Sequence, residues 1–184
     1  MSAVDRLLEL LRERSFARRP VVLASGRTSD WFVDCKQTVL LAEGHDLAGR
    51  ALLAAIDGLA ERPVAVAGVE LGGCPLASAV ALVSFREGRP LDAVYVRKAA
   101  KDHGSGRALE GDSTLTAGSP IAVVEDVLTT GGSTLGAIER LRAAGHRVVG
   151  VVALVDRGEG GLEAVCAAGF PVVALYTRGD FVPI

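Results

Sequence analysis

Two adjacent carboxylates followed by a loop rich in hydroxyls and glycines form the strongest chemical signal in the sequence. Glu125 and Asp126 come directly after the apolar residues Val123 and Val124, and residues 129–133 read Thr-Thr-Gly-Gly-Ser. Glycines let backbone N–H groups approach a phosphate closely, hydroxyls add hydrogen-bond donors, and the N-terminus of the helix expected to follow favours an anion. The loop therefore predicts a phosphate site.

The two acids need a different partner, because a carboxylate repels phosphate. Carboxylates accept hydrogen bonds from sugar hydroxyls and bind hard cations such as Mg²⁺. A ligand with phosphate at one end and a diol at the other is a ribose 5-phosphate. The structural alternative is an ordinary strand-turn-helix with Ser133 as its N-cap, which leaves the acidic pair and both threonines unexplained.

Two other nucleotide-binding motifs are excluded. A P-loop requires a Gly-Lys pair before Ser or Thr, and the chain contains no Gly-Lys pair. A dinucleotide site requires G-x-G-x-x-G after the first strand. The segment Gly104-Ser105-Gly106 lacks the third glycine and lies in a long polar stretch.

Composition predicts one α/β domain over residues 1–184. The chain is 49% hydrophobic and only 4% aromatic, with 22 glycines, so its core must be built mainly from Val, Leu and Ala. A net charge of −2 gives no basic field for nucleic acid or for an anionic membrane. No apolar run reaches the roughly 18 residues of a membrane span, so a cytoplasmic protein is expected.

Hydrophobic periodicity predicts alternating strands and helices, which is typical of a doubly wound parallel sheet with ligands at the carboxyl ends of its strands. A hairpin-like element is expected from the short β-like runs 20–23 and 31–34. Residues 97–118 show no sustained period and predict a long loop, with or without a β-arm. Strands are predicted over 64–69, 93–96, 121–124, 148–155 and 172–176, and helices over 4–14, 45–59, 75–85, 133–144 and 162–168.

The segment 123–134 resembles the phosphoribosyl pyrophosphate motif of type I phosphoribosyltransferases. The resemblance implies their fold: a central, mainly parallel five-stranded sheet flanked by helices, a small N-terminal hood within residues 1–40, and a mobile catalytic loop over 97–118. It also implies that the donor is 5-phosphoribosyl 1-pyrophosphate (PRPP). It does not identify the acceptor.

The long loop bears on the acceptor, because Arg97, Lys98, Lys101 and His103 lie within seven residues directly after a predicted strand. Most such runs are solvated charge clusters. Here the strand-end position and the nearby glycines favour a segment that closes over a leaving pyrophosphate and stabilises its charge. The run resembles the R-K-x-x-K-x-H-G loop of orotate phosphoribosyltransferases, which implies a homodimer whose loops act across the interface.

Further segments resemble the same family. Residues 25–29 are similar to its S-G-R-x-S, and residues 68–77 to its G-x-x-x-G-G-x-P-L-A turn. By this resemblance Arg157 corresponds to the arginine that binds the carboxylate of orotate, for which a planar guanidinium is well suited. Two positions depart from the family: Ala24 and Gly72 stand where some members have phosphate-binding lysines.

The resemblance implies an Mg²⁺-dependent transfer of phosphoribose from PRPP to orotate in pyrimidine synthesis, with Lys101, His103 and Asp126 as the catalytic residues. Mg²⁺ is expected mainly through PRPP, with a place near Glu125 and Asp126 as an option, and Thr129 and Arg157 are expected to bind orotate. A purine phosphoribosyltransferase and a donor-sensing regulator of the same fold remain as alternatives. The predicted PRPP-binding residues are Arg97, Lys98, Lys101, His103, Glu125, Asp126, Val127, Leu128, Thr129, Thr130, Gly131, Gly132 and Ser133.

Overall fold

The computed structural model describes residues 2–22, 28–29, 31–98 and 108–182. None of the helices within these ranges is long and apolar enough to cross a membrane. The helices are α1 (Ala3–Arg14), α2 (Lys36–Val39), α3 (Ala42–Asp57), α4 (Gly73–Arg86), α5 (Gly132–Ala143), α6 (Gly161–Ala167) and α7 (Arg178–Phe181). The strands are β1 (Phe16–Ala17), β2 (Val21–Val22), β3 (Thr28–Ser29), β4 (Phe32–Val33), β5 (Ala65–Val69), β6 (Asp92–Val96), β7 (Leu109–Glu110), β8 (Pro120–Leu128), β9 (Arg147–Asp156) and β10 (Val172–Thr177).

The central sheet has the strand order β10-β9-β8-β5-β6-β7. Strands β5, β6, β8, β9 and β10 pair in parallel, which confirms the predicted five-stranded parallel sheet. The sixth strand, β7, pairs antiparallel with β6 and lies inside the predicted long loop. The parallel strands read as nearly continuous apolar runs because both of their faces are buried.

Each face of the sheet carries its own apolar cluster. Val66, Ala122 and Val152 point to the side of α1, α3 and α4, and their neighbours Ala67, Val123 and Val151 point to the side of α5 and α6. This alternation follows from the two-residue side-chain period of a strand. Helices on both faces fix the carboxyl ends of β5, β8 and β9 along one edge of the sheet, where the candidate site lies.

The N-terminal element departs from its predicted pairing. Strand β2 pairs with β3, and β4 pairs with β1. Strands β2 and β4 therefore belong to different antiparallel pairs and do not pair with each other as one hairpin. Trp31 is buried against Phe16 and Phe181, with ring centroids 6.3 and 6.1 Å away. The aromatic contact with α7 therefore joins this hood to the C-terminal end of the chain.

Strand β8 is longer than predicted. It continues to Leu128, which pairs with Asp156 of β9, so Glu125 and Asp126 lie within the strand rather than at its end. Helices α2 and α7 were not predicted, because four residues are too few for a helical period to show. The single-domain extent of 1–184 stays a prediction.

Candidate active site

A pocket of about 250 Å³ opens at the carboxyl ends of β5 and β8. Its walls come from the hood side, from the turn after β5, from the end of β6 and from the β8–α5 connection. The lining residues are Lys36, Glu70, Leu71, Gly72, Lys98, Glu125, Asp126, Val127, Leu128, Thr129, Gly131, Ser133 and Thr134. The sequence motif thus forms one side of the pocket, and segments distant in sequence form the other.

The loop between β8 and α5 owes its shape to two glycines. Gly131 adopts a left-handed conformation, with φ of 82°, which side chains rarely tolerate. A Cβ at Gly161, where α6 begins, would overlap the carbonyl oxygen of Thr129, so α6 packs directly under the loop. Helix α5 then begins at Gly132, and the N–H groups of its first turn have no partners within the helix. Ser133 and Thr134 of this first turn line the pocket, which therefore lies beside a positive helix end, as an anion site requires.

The two acids have different environments. Glu125 is only 6% exposed; it accepts a hydrogen bond from the Thr134 hydroxyl at 3.3 Å and one from the Asp126 N–H at 3.3 Å. Burial raises the pKa of Glu125 well above its usual range, and the neighbouring charge of Asp126 adds to this shift. Asp126 is partly exposed, and its Oδ1 accepts the Val127 N–H at 2.9 Å. The pocket therefore holds one buried acid that favours its protonated form and one solvent-accessible acid.

Gly72 lies against the carboxylate of Asp126. A Cβ at position 72 would overlap that carboxylate, so a side chain could enter only if Asp126 moved. The departure noted in the sequence, a glycine where some relatives carry lysine, therefore has a structural counterpart: here the backbone itself borders the acidic group.

Two charged pocket residues were missed by sequence reasoning. Lys36 of α2 forms an ion pair with Asp34, with Nζ 2.6 Å from Oδ1. Burial acts against its charge, but the hydrogen bond to Asp34 and the charge of Asp126 raise the pKa of Lys36 above its ordinary value. Glu70 follows β5 and accepts the Lys98 N–H at 2.8 Å. Only the Asp-x-Lys spacing directly after a predicted strand could have drawn attention to Lys36.

The first two cations of the long loop take different positions. Lys98 lines the pocket. Arg97 donates its main-chain N–H to Ala108, and its guanidinium turns towards Glu110, with Nη1 3.7 Å from Oε1. The predicted contacts of Lys101 and His103, and the S-G-R of residues 25–27, lie outside the described residues.

Comparisons with known proteins identify the family of the chain. A family model described as phosphoribosyl transferase domain matches residues 40–166. The orotate phosphoribosyltransferase of Sorangium cellulosum is 65% identical over 179 residues, covering 97% of this chain and 93% of that protein. The chain belongs to the orotate phosphoribosyltransferases. The crystal structure of Mycobacterium tuberculosis orotate phosphoribosyltransferase in complex with PRPP superposes with a TM-score of 0.80 at 33% identity, covering 98% of this chain and 99% of that one.

Arg157, which the resemblance to the family predicts to bind orotate, is not among the residues that line the pocket. Its guanidinium stacks on the Trp31 ring at 4.8 Å from the centroid and donates to the Trp31 carbonyl oxygen at 3.3 Å. It also forms an ion pair with Glu159, with Nε 3.0 Å from Oε1, and it is 6% exposed. The hood strand therefore orients this arginine at the carboxyl end of β9.

Most of the predicted PRPP-binding residues that the structure describes lie together at the pocket described above. Thr129, Gly131 and Ser133 line it with both acids, and Thr130 and Gly132 belong to the same loop. Val127 and Leu128 also line it. The residues that meet are thus those of the contiguous motif together with Lys98, whereas Arg97 and Arg157 stand apart from the pocket wall.

The donor set suits Mg²⁺ only in part. Among the described residues, no three His, Cys, Asp or Glu side chains are grouped closely enough to form a metal cage. Mg²⁺ is commonly held by one or two carboxylates together with substrate phosphates. Asp126, which borders the pocket with Glu70 and Glu125, fits that second arrangement.

Proposed function

We propose that the chain transfers the phosphoribosyl group of PRPP to orotate, giving orotidine 5′-phosphate and pyrophosphate in pyrimidine synthesis. The observation that carries the proposal is one pocket lined both by the loop residues Thr129, Gly131 and Ser133 and by the acids Glu125 and Asp126. Membership of the orotate phosphoribosyltransferases supplies the acceptor.

The loop binds the 5′-phosphate through its hydroxyls and through the free N–H groups at the start of α5. Glu125 and Asp126 accept hydrogen bonds from the ribose hydroxyls. Cleavage of the bond to pyrophosphate leaves positive charge on the ribose ring, and the accessible, ionised Asp126 stabilises that charge. The ring nitrogen N1 of orotate forms the new bond to the ribose and gives up its proton to solvent, and no residue is assigned as a general base.

Negative charge accumulates on the departing pyrophosphate, where Lys98, Lys101, His103 and Arg97 act as its cationic partners. Mg²⁺, held through PRPP and Asp126, would neutralise part of this charge when bound. Arg157 is the residue proposed for the orotate carboxylate, with Thr129 as a second contact. For that role, the guanidinium of Arg157 must either leave Glu159 or bind Glu159 and the orotate carboxylate at the same time.

The direct test is the loss of orotate absorbance on addition of PRPP and Mg²⁺, with pyrophosphate measured as the second product. We expect turnover with orotate and none with adenine or hypoxanthine. Consumption of a purine base instead would favour the purine enzyme, and donor binding without pyrophosphate release would favour the regulator. Omitting Mg²⁺, with EDTA present, should abolish turnover.

The loop assignment is tested at Lys101. Replacing Lys101 by Ala should lower turnover far more than it lowers the melting temperature, because the role proposed for Lys101 is to stabilise charge on the pyrophosphate rather than to pack in the core. Lys101→Arg is the charge-conserving control. Turnover near that of the unchanged enzyme in Lys101→Ala would contradict the loop's role.

A homodimer is the proposed assembly. Helix α4 exposes Leu82 and Phe85, 46% and 72% accessible, on the face that also carries Ser78. The Ser78 hydroxyl is hydrogen bonded to the hydroxyl of Tyr95 on β6, so these residues form one partly apolar surface. Sedimentation should give a dimer, and Phe85→Asp should shift it towards monomer. A monomer at micromolar concentration would contradict the proposal. A cytoplasmic location stays the expectation from the sequence.

A further inference from the structure

The main chain of Lys98 is bound from two sides by charged side chains. Its N–H donates to Oε2 of Glu70 at 2.8 Å, and its carbonyl oxygen accepts from Nη2 of Arg140 at 2.8 Å. Glu70 comes from the turn after β5, and Arg140 comes from the last turn of α5. Both groups are ionised donors or acceptors, which make the stronger kind of hydrogen bond.

Arg140 is itself held along its helix. Its Nη1 donates to the carbonyl oxygen of Gly136, one turn earlier, at 2.8 Å. Gly136 leaves room for this conformation, because a Cβ there would lie 3.0 Å from Nη1. One planar guanidinium thus joins two carbonyl oxygens, one on α5 and one on Lys98, and a fork of this kind fixes orientation as well as distance.

Glu70 is fixed in a comparable way. Its own N–H donates to the carbonyl oxygen of Val96 at 2.9 Å, which continues the pairing of β5 with β6. Arg97, between Val96 and Lys98, donates to Ala108 at 2.9 Å. The end of β6 therefore has a defined path up to Lys98.

We propose that Arg140 and Glu70 are positioning residues that hold the Lys98 main chain at a set distance from the phosphate loop. Helix α5 begins at that loop, so the Arg140 fork ties Lys98 to the same helix that receives the 5′-phosphate. The donor carries its pyrophosphate at the other end of the ribose. A cation stabilises the leaving group only when it is placed correctly, and small misplacements are costly. This inference rests on the proposed function, in which Lys98 stabilises the negative charge of the pyrophosphate.

Arg140 is the better position to test, because Glu70 lines the pocket and Arg140 does not. We expect Arg140→Met to lower kcat/KM for PRPP about tenfold, the usual effect of losing one charge-assisted hydrogen bond. The dissociation constant for ribose 5-phosphate, which lacks the pyrophosphate, should stay within about twofold of the unchanged enzyme. Arg140→Lys keeps the charge but not the planar fork, so it should recover only part of the loss. Arg142→Met, at an exposed arginine of the same helix, is the matched control and should behave as the unchanged enzyme.

Gly136→Ala separates positioning from stability. Alanine favours the helix by up to about 1 kcal/mol over glycine, while its Cβ crowds the Arg140 guanidinium. We expect an equal or higher melting temperature together with a kcat/KM about twofold to threefold lower, since the flexible arginine can move aside at modest cost. Arg140→Met with unchanged kcat/KM would overturn the proposal. An equal loss of ribose 5-phosphate affinity in Arg140→Met would also overturn it, because the phosphate loop itself would then be distorted.

Failure of the proposed function would look different. If the unchanged protein does not consume orotate, that function fails, and the positioning role is measured by calorimetric binding of pyrophosphate with Mg²⁺. Weaker pyrophosphate binding in Arg140→Met, at constant ribose 5-phosphate binding, still supports the role. Equal pyrophosphate binding in the two proteins refutes it.

Discussion

The two walls of the pocket are built in different ways. The wall from Glu125 to Thr134 is one continuous stretch of chain, shaped by Gly131 and by the start of α5. The opposite wall brings together Lys36, Glu70 and Lys98 from three separate segments. The first wall therefore owes its geometry to local backbone, and the second depends on contacts between residues far apart in sequence.

This difference decides how substitutions should act. In the continuous wall, the functional groups sit on a strand and a helix end that the core holds in place, so a changed side chain should alter its own contact and little else. In the assembled wall, Lys98 is held by Glu70 and Arg140, at sequence separations of 28 and 42 residues. A substitution of a positioning residue in this wall should therefore act indirectly, by displacing the residue that it holds in place.

The largest effect is expected in the continuous wall at Asp126. Asp126→Asn keeps the shape of the side chain but removes the charge that faces the ring in the transition state, so kcat should fall about 100-fold. The melting temperature should change little, because the carboxylate is partly exposed. Steady-state kinetics with PRPP as the varied substrate provides the measurement, and Asp46→Asn, in a surface ion pair with Arg50, is the control. A kcat within about threefold of the unchanged enzyme would show that Asp126 only binds hydroxyls.

Unlike the substitution of Asp126, a substitution of Glu125 should change stability as well as substrate binding. Glu125→Gln should weaken PRPP binding about fivefold, the effect of losing one ordinary hydrogen bond, yet raise the melting temperature at neutral pH. The reason is that a buried charge is costly, while the amide oxygen can still accept from Thr134.

The pH dependence of that gain follows from the raised pKa of Glu125. Between the unfolded value near 4.5 and the higher folded value, the folded chain keeps a proton that the unfolded chain has released. Stability of the unchanged protein therefore falls as pH rises through this window, and above it the penalty is constant. The melting-temperature gain of Glu125→Gln should be small at pH 4 and should grow towards pH 8. A gain that is constant with pH would mean that Glu125 is not the titrating group.

The same contrast explains what the sequence could predict. The five parallel strands follow from apolar runs, and the acids and loop of the continuous wall are adjacent in the chain, so both could be predicted. Glu70 and Arg140 could not, because neither their types nor their spacing distinguish them from surface charges. The pairing of β2 with β3 was missed as well, since two-residue strands leave no period of alternation to detect.

The smallest effect is expected at Lys36, in the assembled wall. Its ammonium faces a pocket that also holds the carboxylates of Glu70 and Asp126, so it offsets negative charge that would otherwise oppose an anionic donor. The side chain is 38% exposed, and solvent screens its contribution. Lys36→Met should therefore raise the KM for PRPP only about threefold, and the increase should be larger at low ionic strength.

Asp34 provides the sharper half of that test. Asp34→Asn keeps the ammonium of Lys36 but removes the partner that holds it 2.6 Å away. If the position of Lys36 matters, Asp34→Asn should raise the KM for PRPP although the pocket has become less negative. If only the total charge matters, the KM should fall instead, because one nearby carboxylate is gone. Lys36→Arg, which keeps the charge and can still reach Asp34, should stay close to the unchanged enzyme. The direction of the change in Asp34→Asn thus shows whether the assembled wall works by geometry, as the continuous wall does, or by charge alone.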